Sequence, residues 1–276
     1  MNFKSAPLPF QGQKRRFAAE FHSQLSDLAK TNDVKIVVDL FGGSGLLSRI
    51  AKDVFPSAKV IYNDYDDYSQ RLRNVDNTNT LLSDIRSIVG DYPKEKKINE
   101  DFKSVILNRI SQEIGFVDYI TLSASLLFSA KYATDFASLE KETFYNNIKS
   151  SNYTFNSEDY LRGLTIVCES YKVLFERYRN DSDVLFLVDP PYLSTDTGTY
   201  HNDKYWKLRD YLDVLKVLIG TRYFFFTSNK SHLLDLCEWL EGNQPFINPF
   251  ENSALRLTEN QLNHTAKYTD MMLCKI

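Results

Sequence analysis

The stretch that most constrains this chain is an apolar run at 35–40 (KIVVDL) that passes directly into Phe41-Gly42-Gly43-Ser44-Gly45 and then into a helical segment at 46–54. The run is β-branched enough for a buried parallel strand, and a strand, glycine turn and helix in that order open a nucleotide-type βαβ unit. A second strand over 58–62 ends at Asn63-Asp64, and a helix is expected over 67–88. Alternation resumes with strands at 164–168, 184–188 and 222–227, helices at 171–179, 205–219 and 231–240, and one last strand at 268–275. Strands alternating with helices imply an α/β fold, a largely parallel sheet with helices on both faces.

Between the two halves the character changes. Residues 91–158 are charged and rich in Ser, Asn and Tyr, with weak helical spacing (Phe102, Val105, Ile106, Ile110; Ile120, Leu122, Leu126, Leu127) and little strand signal. The expected organisation is therefore a sheet domain formed by 1–90 and 159–276, interrupted by a mostly helical insertion at 91–158. A polar loop at 193–202, containing Gly198, is expected to order on binding.

Three glycines in one turn let backbone approach a ligand closely and reach positive φ. A phosphate-binding Walker loop is excluded because no Gly-Lys-Ser/Thr follows, and a dinucleotide fingerprint would want glycine where Ser48 stands. A plain tight turn is the bland alternative. With Asp39 ending one strand and Asp64 the next, an adenosyl ligand without phosphates fits better, Asp64 accepting from ribose hydroxyls. Asp66 and Asp67 compete with Asp64, but acids at a helix start have a sufficient reason in the helix dipole.

The strand at 184–188 runs into Asp189-Pro190-Pro191-Tyr192. In open α/β sheets ligands bind at the carboxyl ends of strands. An exocyclic amine of a nucleobase is a poor nucleophile because its lone pair is delocalised into the ring. If Asp189 and the Pro190 carbonyl each accept one amine hydrogen, the nitrogen is drawn toward tetrahedral geometry, and the proline pair fixes that carbonyl without conformational cost. Tyr192 offers a face on which an extrahelical base can stack. The bland reading is a stiffened strand end with a surface acid. Upstream, 7–17 (PLPFQGQKRRF) joins an extended proline segment to the basic cluster Lys14, Arg15 and Arg16, which alone reads as a loop before a helix.

These motifs, in this order, resemble the Dam-like, D12 class of S-adenosylmethionine-dependent DNA adenine-N6 methyltransferases. The segment Asp39-Leu40-Phe41-Gly42-Gly43-Ser44-Gly45 resembles the family's cofactor motif, Asp64 its ribose acid, and Asp189 to Tyr192 its catalytic tetrapeptide. Phe10-Gln11-Gly12-Gln13-Lys14 is similar to the segment that closes over the methionine part of the cofactor, which gives Phe10, Gly12 and Lys14 a role. Ser228-Asn229 matches a further motif near the pocket. The resemblance implies a Rossmann-like class I methyltransferase sheet, S-adenosyl-L-methionine as cofactor, and double-stranded DNA as partner with its adenine flipped out. It also implies that the helical insertion recognises the target, and it allows a cognate restriction endonuclease. One departure is Cys168-Glu169-Ser170-Tyr171, where serine stands at the position of an acid near the cofactor's adenine.

Composition sets limits on these readings. A net charge of −3 gives no whole-protein field for a polyanion, and the lysines of the insertion are balanced by acids, so tight non-specific DNA affinity is not expected. Three separate cysteines and four scattered histidines encode neither a disulfide framework nor a metal site. No apolar run approaches membrane length, and the N-terminus lacks a signal-peptide core, so a soluble cytoplasmic protein is expected. No cysteine neighbours Asp189 in sequence, which disfavours cytosine C5 chemistry. Competing readings keep the chemistry on cytosine N4, RNA adenine or a protein amide, make the chain a non-catalytic binder of cofactor or DNA, or give it a small-molecule acceptor.

Overall fold

The computed structural model describes residues 3–31, 34–128, 131–149, 153–191, 206–243, 245–261 and 267–276. The polar loop expected at 193–202, including Gly198, and Tyr192 of the Asp-Pro-Pro-Tyr corner lie outside these described residues. Two compact units emerge, one made of Met1–Ser5, Gln13–Asp66 and Leu161–Ile276, the other of Ala6–Gly12 and Asp67–Tyr160.

In chain order the elements are α1 (Ala18–Thr31), β1 (Ile36–Asp39), α2 (Leu46–Val54), β2 (Lys59–Asn63), α3 (Tyr68–Arg73), α4 (Val75–Val89), α5 (Glu100–Ser111), α6 (Tyr119–Leu126), α7 (Phe136–Glu140), β3 (Leu164–Val167), α8 (Tyr171–Tyr178), β4 (Val184–Val188), α9 (Leu208–Leu218), β5 (Tyr223–Ser228), α10 (Leu233–Asn243), β6 (Ala254–Gln261) and β7 (Lys267–Lys275). The first unit holds a seven-stranded sheet of order β3-β2-β1-β4-β5-β7-β6. The pairs β2–β3, β1–β2, β1–β4 and β4–β5 are parallel, whereas β5–β7 and β6–β7 are antiparallel. The order reverses where β1 meets β4, the switch point at which such sheets bind ligands.

The strand sequences explain why both faces are covered. In β5 the residues Tyr223, Phe224, Phe225 and Phe226 are all fully buried, and the period of two sends them to opposite faces. Phe224 and Phe226 join Phe17, Phe21 and Leu25 of the α1 segment on one face, whereas Tyr223 and Phe225 join Val214 and Leu218 of α9 on the other. Val37 and Val38 of β1 divide in the same way, as do Leu187 and Val188 of β4. Each such fully buried apolar side chain contributes about 1.5–3 kcal/mol over an exposed one. Phe21 sits edge-on to Phe224 at 5.0 Å, which fixes α1 over β5 and with it the residues that lead into α1.

The Rossmann-like sheet expected from the sequence is present. Two features differ from the expected pattern. A single C-terminal strand was expected, yet β6 also exists; it is an edge strand with Leu255 and Leu257 exposed, so it carries no alternating burial signal. The helix expected over 67–88 is broken at Asn74 into α3 and α4. Both belong with the second unit, which therefore spans more than the residues 91–158 expected as the insertion. In that unit Ile106 and Ile110 of α5 and Leu122 and Leu126 of α6 are buried. Asn99 and Asp118 cap the two helices through Phe102 N and Thr121 N.

Candidate active site

The carboxyl edge of the central strands carries buried acids. Asp39 ends β1 and is fully buried; its Oδ2 accepts from the Ser48 hydroxyl at 2.7 Å, and its Oδ1 has no hydrogen-bond partner among the described residues. The serine that stands where a dinucleotide fingerprint wants glycine is thus used to hold Asp39. Asp39 pairs with Leu187 in the β1–β4 register, so Asp189, two residues later, shares its side of the sheet. Burial, with the charge of Asp189 adding to it and the Ser48 hydroxyl opposing it, pushes the Asp39 carboxyl up to about 7.

Asp189 follows β4. Its Oδ2 is 2.6 Å from the Lys14 ammonium, a side chain only 9% exposed, and its Oδ1 is buried with no partner among the described residues. Burial raises this carboxyl to about 6, an effect opposed by Lys14 and reinforced by Asp270 on β7. Of the cluster Lys14, Arg15 and Arg16, Lys14 turns inward and the two arginines face solvent. The turn into α1, with Phe17 N donating to the Lys14 carbonyl at 3.0 Å, sets that direction.

The glycine turn has a reason that the sequence did not reveal. A Cβ on Gly42 would stand 2.3 Å from the Tyr62 ring and 2.7 Å from the Asn63 carbonyl, so Gly42 is required by its own β2 neighbours. Gly43 and Gly45 have φ of 47° and 71°, the left-handed region that turns the chain into α2. The Tyr62 hydroxyl lies 2.7 Å from the Gly43 carbonyl and 3.0 Å from Asp64 Oδ1, linking the turn to the acid after β2. Asp64 is 3% exposed, whereas Asp67 is exposed. Asn63 was not singled out in the sequence. Its Nδ2 donates to the Leu40 and Glu169 carbonyls, each at 2.9 Å, and its Oδ1 accepts from Glu169 N, tying the ends of β1 and β2 to the segment after β3.

Phe41 leaves the turn on the other side, 4.9 Å from the Tyr171 ring and 5.7 Å from Trp206. The Tyr171 hydroxyl is buried without a partner among the described residues, and burial pushes its phenol up. Glu169 pairs with Arg177 at 2.6 Å, so its carboxylate is committed there, and Ser170 stands at the N-cap position of α8 without a side-chain capping bond. Ser228, at the end of β5, keeps a buried hydroxyl with no partner among the described residues. Pro190 is buried and Pro191 partly so. Phe10 and Gly12 lie in the second unit, where Phe10 meets Tyr68 edge-on at 5.7 Å. The structure thus gathers Lys14, Asp39, Phe41, the glycines, Asp64 and Asp189 to Pro191 in one unit.

A sheet that reverses at β1 and β4, ends in an antiparallel pair, and carries a glycine turn and an Asp-Pro-Pro corner along its carboxyl edge has the Rossmann-like architecture. The profile of the D12 class N6 adenine-specific DNA methyltransferases matches residues 10–217, and the chain belongs to that family. A protein of Haemophilus influenzae (strain ATCC 51907 / DSM 11121 / KW20 / Rd), named provisionally as a methyltransferase, is 36% identical over 276 residues, covering 99% of this chain and 93% of its own. Among solved structures, an rRNA methylase from Streptococcus thermophilus aligns with a TM-score of 0.33 and 13% identity, over 93% of this chain and 95% of that one. A likeness that loose bears on nothing further.

Proposed function

We propose that the chain transfers a methyl group from S-adenosylmethionine to N6 of an adenine flipped out of double-stranded DNA. The observation that carries this reading is the Asp189 carboxylate: one oxygen is held by Lys14 and the other is buried with no partner among the described residues, and Pro190 follows it directly in the chain. A buried acceptor left open, followed in the chain by a proline carbonyl that cannot be rotated freely, suits the two hydrogens of an amino group.

The residues also fit the cofactor. Asp39 is buried and Asp189 largely so, and burial raises their carboxyls to about 7 and about 6, so a sulfonium cation beside them would favour the ionised forms that burial disfavours. Asp64, oriented by Tyr62, would accept from the ribose hydroxyls, and the turn of Gly42, Gly43 and Gly45 would offer its backbone. Phe10, Gly12 and Lys14 belong to the segment assigned to the methionine end. When bound, the cofactor supplies an electrophilic methyl group for direct in-line displacement.

Asp189 Oδ1 and the Pro190 carbonyl oxygen accept the two N6 hydrogens and turn the nitrogen lone pair outward. Lys14 keeps Asp189 ionised at neutral pH. Transfer of the methyl to N6 would leave the cofactor as a neutral thioether, and the proton that the amine then releases would pass to Asp189 Oδ1, whose carboxyl at about 6 would return it to solvent. Pro191 stiffens the corner, and Tyr192 supplies the stacking face. The helical unit carries target recognition.

The test is to incubate the protein with labelled S-adenosylmethionine and unmethylated genomic DNA, digest, and identify the methylated nucleoside, with Asp189→Ala alongside. N6-methyladenine formed by the wild type and lost in the variant supports the reading. Its absence, N4-methylcytosine in its place, or undiminished activity of Asp189→Ala overturns it.

A further inference from the structure

Ser48 is the third residue of α2 and is fully buried. A serine in a helix can satisfy its hydroxyl on the carbonyl one turn back, within its own helix. Here the hydroxyl donates instead to Asp39 Oδ2 at 2.7 Å, on the acid that ends β1. It is the one side-chain donor that this acid has among the described residues, and the second oxygen, Oδ1, is buried with none. The Ser48 amide lies in the first turn of α2, where it has no partner within the helix, and with the Phe41 amide it also favours the ionised carboxyl.

The other groups that face Asp39 come from the neighbouring strands. β4 leads to Asp189, whose charge opposes ionisation of Asp39 and is itself paired with Lys14. β2 sets Tyr62 opposite Asp39, with the phenol engaged at Gly43 and Asp64. All of these residues belong to the sheet unit.

A bland account makes Ser48 a tie between α2 and β1. That account leaves Oδ1 unexplained, because a buried acceptor without a donor costs stability, and buried acids left in that state gather at functional sites. Burial and Asp189 both favour the protonated acid, which is a poor acceptor for a cation, and Ser48 works against both. With Oδ2 fixed, Oδ1 is the oxygen that remains for a ligand.

We propose that Ser48 is a positioning residue for the cofactor: by holding Asp39 Oδ2 it favours the ionised acid and leaves Oδ1 open to a cationic or N–H group of S-adenosylmethionine. The inference rests on the cofactor reading above. It makes cofactor affinity depend on pH through Asp39, with Ser48 setting where that dependence falls.

The test compares full-length wild type, Ser48→Ala, Ser48→Cys, Asp39→Asn and Ser48→Ala/Asp39→Asn. Affinity for S-adenosylmethionine is read by calorimetry, and unfolding of the cofactor-free protein by denaturant melts, both across neutral pH. The Asp39 carboxyl stands at about 7, and loss of the hydroxyl, a donor to the ionised form, raises it by about one unit. At pH 7 the ionised fraction then falls from about half to roughly one tenth. Ser48→Ala therefore binds the cofactor about fivefold more weakly there, and the gap closes by about pH 9.

In the melts, a carboxyl raised above its unfolded value makes stability fall with rising pH until the folded acid has titrated, and in Ser48→Ala that fall runs on about one unit further. Ser48→Cys, nearly the same size with a weaker donor, moves both profiles less in the same direction and remains informative if Ser48→Ala does not fold. In the Asp39→Asn background, Ser48→Ala moves neither. A loss of affinity that is equal at every pH, an unmoved melt profile, or the same shifts in the Asp39→Asn background overturn the proposal. A wild type that binds no S-adenosylmethionine, with the melts shifting as expected, overturns instead the cofactor reading on which it stands.

Discussion

Replacing Lys14 with methionine removes a charge while nearly keeping the volume of the side chain, so its effect isolates what the ammonium does for Asp189. The Nζ–Oδ2 separation is 2.6 Å, and neither side chain is more than 15% exposed. Coulomb attraction at that separation is about 6 kcal/mol at an effective dielectric constant near 20, a ceiling because water enters the vacated space. An opposite charge in direct contact ordinarily lowers a carboxyl by about 1–3 units, so its removal moves Asp189 from about 6 to roughly 8. If turnover requires ionised Asp189, the ionised fraction at pH 7.5 falls from roughly 97% to roughly 24%, a loss of about fourfold. At pH 6.5 the loss is about 25-fold, and above pH 9 it nearly vanishes. Initial rates of DNA methylation at saturating cofactor, measured from pH 5.5 to 9.5, give the profile. A variant whose rate is reduced by the same factor at every pH, or whose acidic limb stays where the wild type has it, refutes the role given to Lys14.

Three further outcomes are expected. Gly42→Ala places a methyl against the Tyr62 ring and the Asn63 carbonyl and costs about 3 kcal/mol, lowering Tm by roughly 6–12 °C, whereas Gly242→Ala, in open space on α10, leaves Tm equal or higher. Asn63→Leu strands the Leu40 carbonyl and both backbone groups of Glu169, a loss of about 3 kcal/mol that denaturant melts measure, with faster hydrogen exchange at the Glu169 amide. Asp39 has its carboxyl raised to about 7 in the folded state from an ordinary 3.8, so the native protein holds a proton that the unfolded chain releases. Stability from this group therefore falls as pH rises from about 4 to about 7 and is level above, by at most about 4 kcal/mol. Asp39→Asn should flatten that part of the slope between melts at pH 5 and pH 8; an unchanged slope would assign it to other groups.

The sequence by itself determined the layout of the sheet domain. Runs such as VLFLV in β4 and YFFF in β5 are apolar at both parities, which only a sheet covered on both faces accommodates, and the glycine turn after β1 marks the start of the nucleotide-type unit. Asp39, Asp64 and Asp189 were legible because strand ends are legible: where an apolar run stops at an acid, that acid lies at the carboxyl edge. The edge strand β6 was hidden because exposure on both faces removes the alternation from which strands are read.

What only the tertiary structure decided is how distant residues act on those acids. The resemblance of 10–14 to a family segment singles out Lys14, but charge and local pattern do not separate it from Arg15 and Arg16; packing of Phe17 and Phe21 against β5 accompanies the inward turn of Lys14 alone, onto a carboxylate that follows a different strand. Gly42 reads as room for a ligand, yet the ring that demands its missing Cβ is Tyr62, and the spacing between them carries no motif. Arg71 and Asp118, 47 residues apart, look like ordinary surface charges until folding buries them together. Periodicity and turn chemistry are properties of neighbours in sequence. The pKa of a buried acid is a sum over neighbours in space, and those the fold supplies.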